Sequence, residues 1–157
     1  MTGQNMTPAN PEFFFRLCRF AQDVMEACSD LKLSPVIYGS VAYLFHTHDS
    51  SVIIGDIDLL IPESIFAGIS KAASQLEGVR VEATTYHSLR ILSGDLKISF
   101  HAAEHYAPAT YSSETLCLHG FTAAVLDKKS LILLYTSGAA TVSSKREAYL
   151  TKLQKLA

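Results

Sequence analysis

The chain has 157 residues, 48% of them apolar and 18% charged, a composition that excludes a disordered chain and predicts one compact domain with a substantial core. The net charge of -2 and a pI near 6.3, with no basic run, exclude a global attraction to nucleic acid and leave no strong nucleic-acid patch. No apolar stretch reaches membrane-spanning length, the amino terminus lacks an export pattern, and Cys18, Cys28 and Cys117 have no zinc-type spacing, so the expectation is a cytoplasmic protein with reduced thiols and no membrane segment.

Residues 1–9 are polar and small and are expected to form a flexible tail. Asn10-Pro11-Glu12 then offers a helix cap, a proline suited to the first turn and an acid near the positive helix end. An N-terminal helix is expected over 10–33, with Phe13, Phe14, Leu17, Phe20, Ala21, Val24, Met25, Cys28 and Leu31 along one face. Ser34-Pro35 ends it and hands the chain to a first strand, which stops abruptly at Gly39-Ser40. A short helix follows, carrying Tyr43, Leu44, Phe45 and His46. Gly39 lets the backbone approach a ligand closely, and Ser40 stands where it can cap that helix, so phosphate oxygens would meet its amide-rich positive end. His46 and His48 lie in a polar stretch with no third partner at a fixed offset, and read as loop or surface histidines.

A second strand is expected over 52–61. Side chains alternate across a strand, which puts Asp56 and Asp58 on one face and Ile57 and Leu59 on the other. A solvated edge strand would tolerate this, but Ile53, Ile54, Leu60 and Ile61 favour an interior strand, where two carboxylates repel each other and call for a cation. Mg²⁺ suits them, since it is held by one or two carboxylates and completed by phosphate oxygens.

Pro62-Glu63-Ser64 opens a helix with Ile65, Phe66, Ile69, Ala72, Ala73 and Leu76 on one side. Three extended segments follow, over 79–84, 88–92 and 96–101, the last two joined by the hairpin signal Ser93-Gly94-Asp95. Lys97, Ser99 and His101 share a face of the last segment; His101 is a candidate base, and Glu82 a carboxylate that could swing in. A His101/His105 metal pair would need a helix, and their place at a strand exit argues against it. After a loop over 107–113 come the apolar segments 116–118 and 121–126, a helix over 128–136 capped by Asp127, a break at 137–141 and a terminal helix from about Ser143.

The pattern Tyr38-Gly39-Ser40 followed by Gly55-Asp56-Ile57-Asp58-Leu59 resembles the signature of the nucleotidyltransferase superfamily that includes DNA polymerase beta and the minimal nucleotidyltransferases. The resemblance implies an α+β nucleotidyltransferase fold over a single domain of residues 1–157, with a mixed sheet and helices in a core over 35–106 and a C-terminal strand and helical tail over 114–157. It also implies a Mg²⁺ site at Asp56 and Asp58, nucleotide binding at Gly39 and Ser40, and ATP as the expected nucleoside triphosphate. The activity implied is transfer of a nucleoside monophosphate to a hydroxyl that the sequence does not define.

In such proteins a third carboxylate comes from a later strand, within a lysine-hydrophobic-acid-hydrophobic pattern. Here the run Leu96-Lys97-Ile98-Ser99-Phe100-His101 puts Ser99 at that position, which leaves Ser99 and His101 to complete the catalytic set with Asp56 and Asp58. The tail resembles the family's helical tail, although Leu131-Ile132-Leu133-Leu134-Tyr135 carries no lysine and Ser144-Lys145-Arg146-Glu147 only approximates the usual basic stretch. Lys145 and Arg146 read as solvated helix residues. The alternative is a catalytically degenerate nucleotide-binding module, or a protein-interaction module, of the same fold. A homodimer or a helical partner protein would be the reasonable source of acceptor specificity.

Overall fold

In the computed structural model, which describes residues 6–157, the first element is the helix α1 (Pro11–Ala27), whose buried Phe14, Leu17, Cys18, Phe20, Ala21 and Val24 recur at helical spacing. The helix expected over 10–33 ends at Ala27, and a 3-10 turn, Ser29–Leu31, leads to Lys32 in a left-handed conformation with φ 52°. Asn10 does not cap α1 through its side chain. Its Nδ2 instead donates to the Ile54 carbonyl at 2.8 Å, and its Oδ1 accepts from the Ile54 amide at 3.0 Å, which fixes the backbone just ahead of Asp56. Of the flexible tail expected over 1–9, the first five residues lie outside the described residues. Met6 is buried in the core and the Ala9 amide donates to the Val52 carbonyl at 2.7 Å.

The chain continues through β1 (Val36–Tyr38), α2 (Gly39–Thr47), β2 (Ile57–Ile61), α3 (Phe66–Ala73), β3 (Arg80–Ala83), β4 (Ser88–Ser93), β5 (Leu96–Ala102), α4 (Ala103–Tyr106), β6 (Ser113–Leu118), β7 (Phe121–Leu126), α5 (Lys128–Thr141) and α6 (Arg146–Leu156). The strands form one mixed sheet in the order β3-β4-β5-β2-β1-β7-β6. β2 lies at its centre, antiparallel to β1 and parallel to β5. One arm is the antiparallel run β3-β4-β5; the other is the β6–β7 hairpin, docked through β7 parallel to β1. The strand expected over 52–61 begins only at Ile57, because the residues before it are held by Asn10 instead of by a neighbouring strand. No helix among the described residues is long and apolar enough to cross a membrane.

Alternation gives the central strands two different faces. Ile37, Ile57, Leu59, Ile61, Leu89, Ile91, Ile98 and Phe100 point one way and are at most 3% exposed. α1 and α3 pack together on this side. The other side carries Asp56 and Asp58 and meets α2 and the paired tail helices α5 and α6. The break expected at 137–141 is helical: α5 runs on to Thr141. Gly138 is a packing glycine, because a Cβ there would run into the Tyr149 ring of α6.

Candidate active site

β1 delivers the chain to Gly39 at φ 68°, a left-handed conformation that glycine adopts without steric cost. A side chain would also have no room, since a Cβ at this position would lie 2.5 Å from Asp58 Oδ2. α2 begins at Gly39 itself, with Tyr38 at its cap position and no side-chain cap. Ser40 is therefore not the cap expected from the sequence; it lies in the first turn of α2, among amides that have no intrahelical partner. The positive end of α2 is thus brought against a carboxylate.

The strand register carries the site across the sheet. Tyr38 pairs with Asp58, Asp58 with Ser99, and Ser99 with Arg90, so the four share one face in a row running from β1 to β4. Asp56 sits immediately before β2. Ser99 Oγ donates to Asp56 Oδ2 at 3.2 Å, and Lys97 Nζ is 3.6 Å from the same oxygen. His101 Nε2 lies 2.9 Å from Asp58 Oδ1, while its Nδ1 lies 2.6 Å from Ser88 Oγ. The Tyr38 ring meets the His101 ring edge-on at 5.3 Å between centroids. The structure therefore brings Gly39, Asp56, Asp58, Ser99 and His101 to one place, and Ser40 follows Gly39 in the first turn of α2.

Burial, and next the charge of Asp58, push the Asp56 carboxyl above the usual carboxylate range; Lys97, Ser99 and His101 pull the other way without cancelling this. A cation shared between the two carboxylates would remove that cost. Both side chains keep about a fifth to a quarter of their surface open, at 24% and 22%, so an ion has a route in. Two carboxylates beside a helix N-terminus form a donor set that suits a hard divalent cation carrying phosphate oxygens.

Glu82 does not join them. It is on β3, separated from β5 by β4, and its carboxylate accepts from Arg80 Nε at 3.1 Å. Ser99 is 3% exposed and stands where a third carboxylate was expected. Arg146 is also withdrawn from the site, because its Nε donates to the Ala139 carbonyl at 2.9 Å at the end of α5. His46 Nε2 is 2.7 Å from the Leu126 carbonyl and ties α2 to β7.

Lys152, which no pattern in the sequence singles out, is the cation that the tail presents to the site. Its Nζ lies 5.3 Å from the Tyr43 ring centroid and 5.2 Å from that of Tyr135, within cation–π range. Burial lowers its pKa, opposed by the field of Asp58. The Tyr135 hydroxyl beside it is buried with no hydrogen-bond partner among the described residues. Nothing local marks Lys152 out from Lys145 or Lys155; only the packing of α6 on α5 and α2 turns it inward. Lys155, one turn on, faces outward to Asp49, whose carboxyl it helps hold down at about 2 through a 2.7 Å bond.

The same arrangement of sheet and helices recurs in solved proteins. ANT(2'')-Ia, solved in complex with adenylyl-2''-tobramycin, superposes with a TM-score of 0.61 at 13% identity, over 88% of this chain and 86% of that one. The chain has the nucleotidyltransferase fold. The lincosamide antibiotic adenylyltransferase LnuA in its lincomycin-bound form gives a TM-score of 0.59 at 11% identity, over 90% and 94% of the two chains. An antigenic nucleotidyltransferase-like protein from Paracoccidioides brasiliensis gives 0.60 at 11%, over 89% and 74%. No protein-family model matches the sequence, and no curated protein matches it either. In this nucleotidyltransferase fold the two arms of the sheet meet at β1 and β2, which is where Gly39 faces Asp58.

Proposed function

We propose that this protein binds a nucleoside triphosphate, ATP in the first instance, with Mg²⁺ at Asp56 and Asp58, and transfers the nucleoside monophosphate to a hydroxyl of a small molecule, with cleavage of the α–β phosphoanhydride bond and release of pyrophosphate. The observation that carries this reading is the contact of the Gly39 turn with Asp58, where a Cβ would lie 2.5 Å from the carboxylate oxygen. A backbone stripped of its side chain, a helix N-terminus and two carboxylates converge there, and this is what a metal-bound polyphosphate needs. The neighbours solved with adenylyl-2''-tobramycin and with lincomycin support adenylyl transfer to a small acceptor.

The chain's own residues then have distinct tasks. The first-turn amides of α2 and the Ser40 hydroxyl bind phosphate oxygens, and Lys152 adds a positive charge from α6. Asp56 and Asp58 hold the cation, which when bound supplies charge neutralisation on the phosphates. His101 Nε2 donates to Asp58 Oδ1, and Nδ1 meets Ser88 Oγ; its part in this reading as the base for the attacking hydroxyl requires the other tautomer, with the proton on Nδ1 donated to Ser88 and the Asp58 oxygen given over to the cation. Ser99 positions Asp56 through its hydrogen bond and does not itself bear charge.

The test is calorimetric titration with ATP and with GTP, each with and without Mg²⁺, on the wild type and on the Asp56→Asn/Asp58→Asn variant. Magnesium-dependent ATP binding that disappears in the folded variant is the expected result. No binding by the folded wild type refutes the reading. ATP binding without turnover on any hydroxyl acceptor would identify the protein as a nucleotide-binding module that has lost transfer, in line with the uncharged Ser99.

A further inference from the structure

We infer a second metal site, for a borderline transition-metal ion of the Zn²⁺ class, formed by Glu63, His87 and His105. These residues come from three separate places: the 3-10 turn after β2, the turn between β3 and β4, and the short helix α4. One ligand atom from each lies within 4.8 Å of the other two. His87 Nδ1 is 3.0 Å from Glu63 Oε2 and 3.1 Å from Oε1, and His105 Nε2 is 3.7 Å from Oε1. Tetrahedral bonds of about 2.0–2.1 Å separate ligand atoms by roughly 3.4 Å, so the two spacings from Glu63 to the imidazoles bracket that of a bound ion, while the pair of imidazole nitrogens has still to adjust.

The donor chemistry selects the ion. Two imidazoles and one carboxylate suit zinc, nickel or copper, whereas Mg²⁺ demands oxygen ligands and belongs at Asp56 and Asp58. The site also has a built surround. Glu104 Oε1 accepts from the Glu63 amide at 3.1 Å, which steadies the turn that carries the ligand. His87 is held in a left-handed conformation at φ 59°, and its carbonyl accepts from the Ala102 amide at 3.0 Å, so its ring is presented towards Glu63 by a fixed backbone. The two imidazole rings stack at 3.6 Å and 7° from parallel. An ion common to both therefore requires one ring to turn out of the stack, and with side-chain exposures of 46% and 45% neither ring is confined by the core.

The site is joined to the carboxylate face through the chain. Ser88 follows His87 and Tyr106 follows His105; the Ser88 hydroxyl is 3.3 Å from the Tyr106 hydroxyl and 2.6 Å from His101 Nδ1. An ion at Glu63, His87 and His105 clamps the β3–β4 turn to α4 and so braces the pair that orients His101.

The experiment is calorimetric titration with ZnCl₂, with a parallel thermal melt, in a Cys117→Ser background so that the exposed thiol cannot contribute. One zinc per chain is expected in this background and equally in its Asp56→Asn/Asp58→Asn derivative, with a rise in Tm in both. His87→Ala/His105→Ala, and separately Glu63→Gln, should stay folded because the side chains are exposed. Each should weaken zinc binding by more than the roughly 10–100-fold that loss of an outer-shell partner costs and abolish the Tm rise. Equal zinc binding by the folded histidine variant overturns the proposal, as does loss of zinc only in the aspartate variant or absence of binding to the Cys117→Ser protein. Failure of magnesium-dependent ATP binding would leave this result untouched, because the two sites share no ligand.

Discussion

The two faces of β2 and β5 are built from alternate residues of the same strands yet obey opposite rules. On one face Ile57, Leu59, Ile98 and Phe100 are at most 1% exposed and serve the core. On the other Asp56, Asp58, Ser99 and His101 are held by hydrogen bonds to one another, and Asp56 is kept in an environment that disfavours its charge. The first face gains free energy from burial and the second spends some of it, so one strand pair carries both the core and the carboxylates of the proposed site. The difference teaches which substitutions separate the two roles.

Phe100→Ala tests the apolar face and should have the largest effect on stability. Its ring is fully buried, so truncation is expected to cost about 3–5 kcal/mol, read as a fall in urea midpoint. On the proposed function, whatever remains folded should match the wild type in titrations with Mg-ATP; a selective loss of binding with stability unchanged would break the distinction between the faces. Lys152→Met tests the polar face from the tail. Removing one charged partner of phosphate costs about 1.5–3 kcal/mol, or roughly 10–100-fold in affinity, with the fold retained, because the substituted side chain packs against Tyr43 and Tyr135 without needing a counter-charge. Unchanged ATP affinity would place the phosphates elsewhere.

Asp56→Asn sharpens the comparison most finely. The folded-state pKa of Asp56 lies above its ordinary value of 3.8, so the native state binds its proton more tightly than the unfolded chain does. Ionised Asp56 therefore costs stability at neutral pH, and that cost is relieved as the pH falls through the folded-state pKa towards 3.8. Asn removes the cost at every pH. The variant should be slightly more stable than the wild type at pH 7, by less than the Phe100 effect, and the gap should close on acidification in thermal melts taken along a pH series. A variant less stable at pH 7 would mean that the aspartate serves structure.

Much of this is legible in the sequence. The period of two in Asp56-Ile57-Asp58-Leu59 assigned the carboxylates to one face, and the strand-breaking Gly39 marked the close approach, because both depend only on local geometry. Lys97, Ser99 and His101 were aligned for the same reason. Where local signals can be satisfied in more than one way, the tertiary structure chooses among them: Asn10 has the chemistry of a cap but holds Ile54, Gly138 could break a helix but makes room for Tyr149, and Ser40 lies inside the helix that it could have capped. Glu82 shares the alternation but is carried away from the site by strand order.

What the sequence by itself determined is the pattern along each element: which face of a strand is apolar, where a backbone must be bare, and which residues can share a side. The tertiary structure decided which elements meet. Lys152 comes to Asp58 from nearly a hundred residues on, the β6–β7 hairpin joins the sheet beside β1, and Glu63, His87 and His105 gather from three separate segments. Such meetings leave no periodic trace, because they are set by strand order and helix packing across the whole domain, and neither is written in the spacing of neighbouring residues.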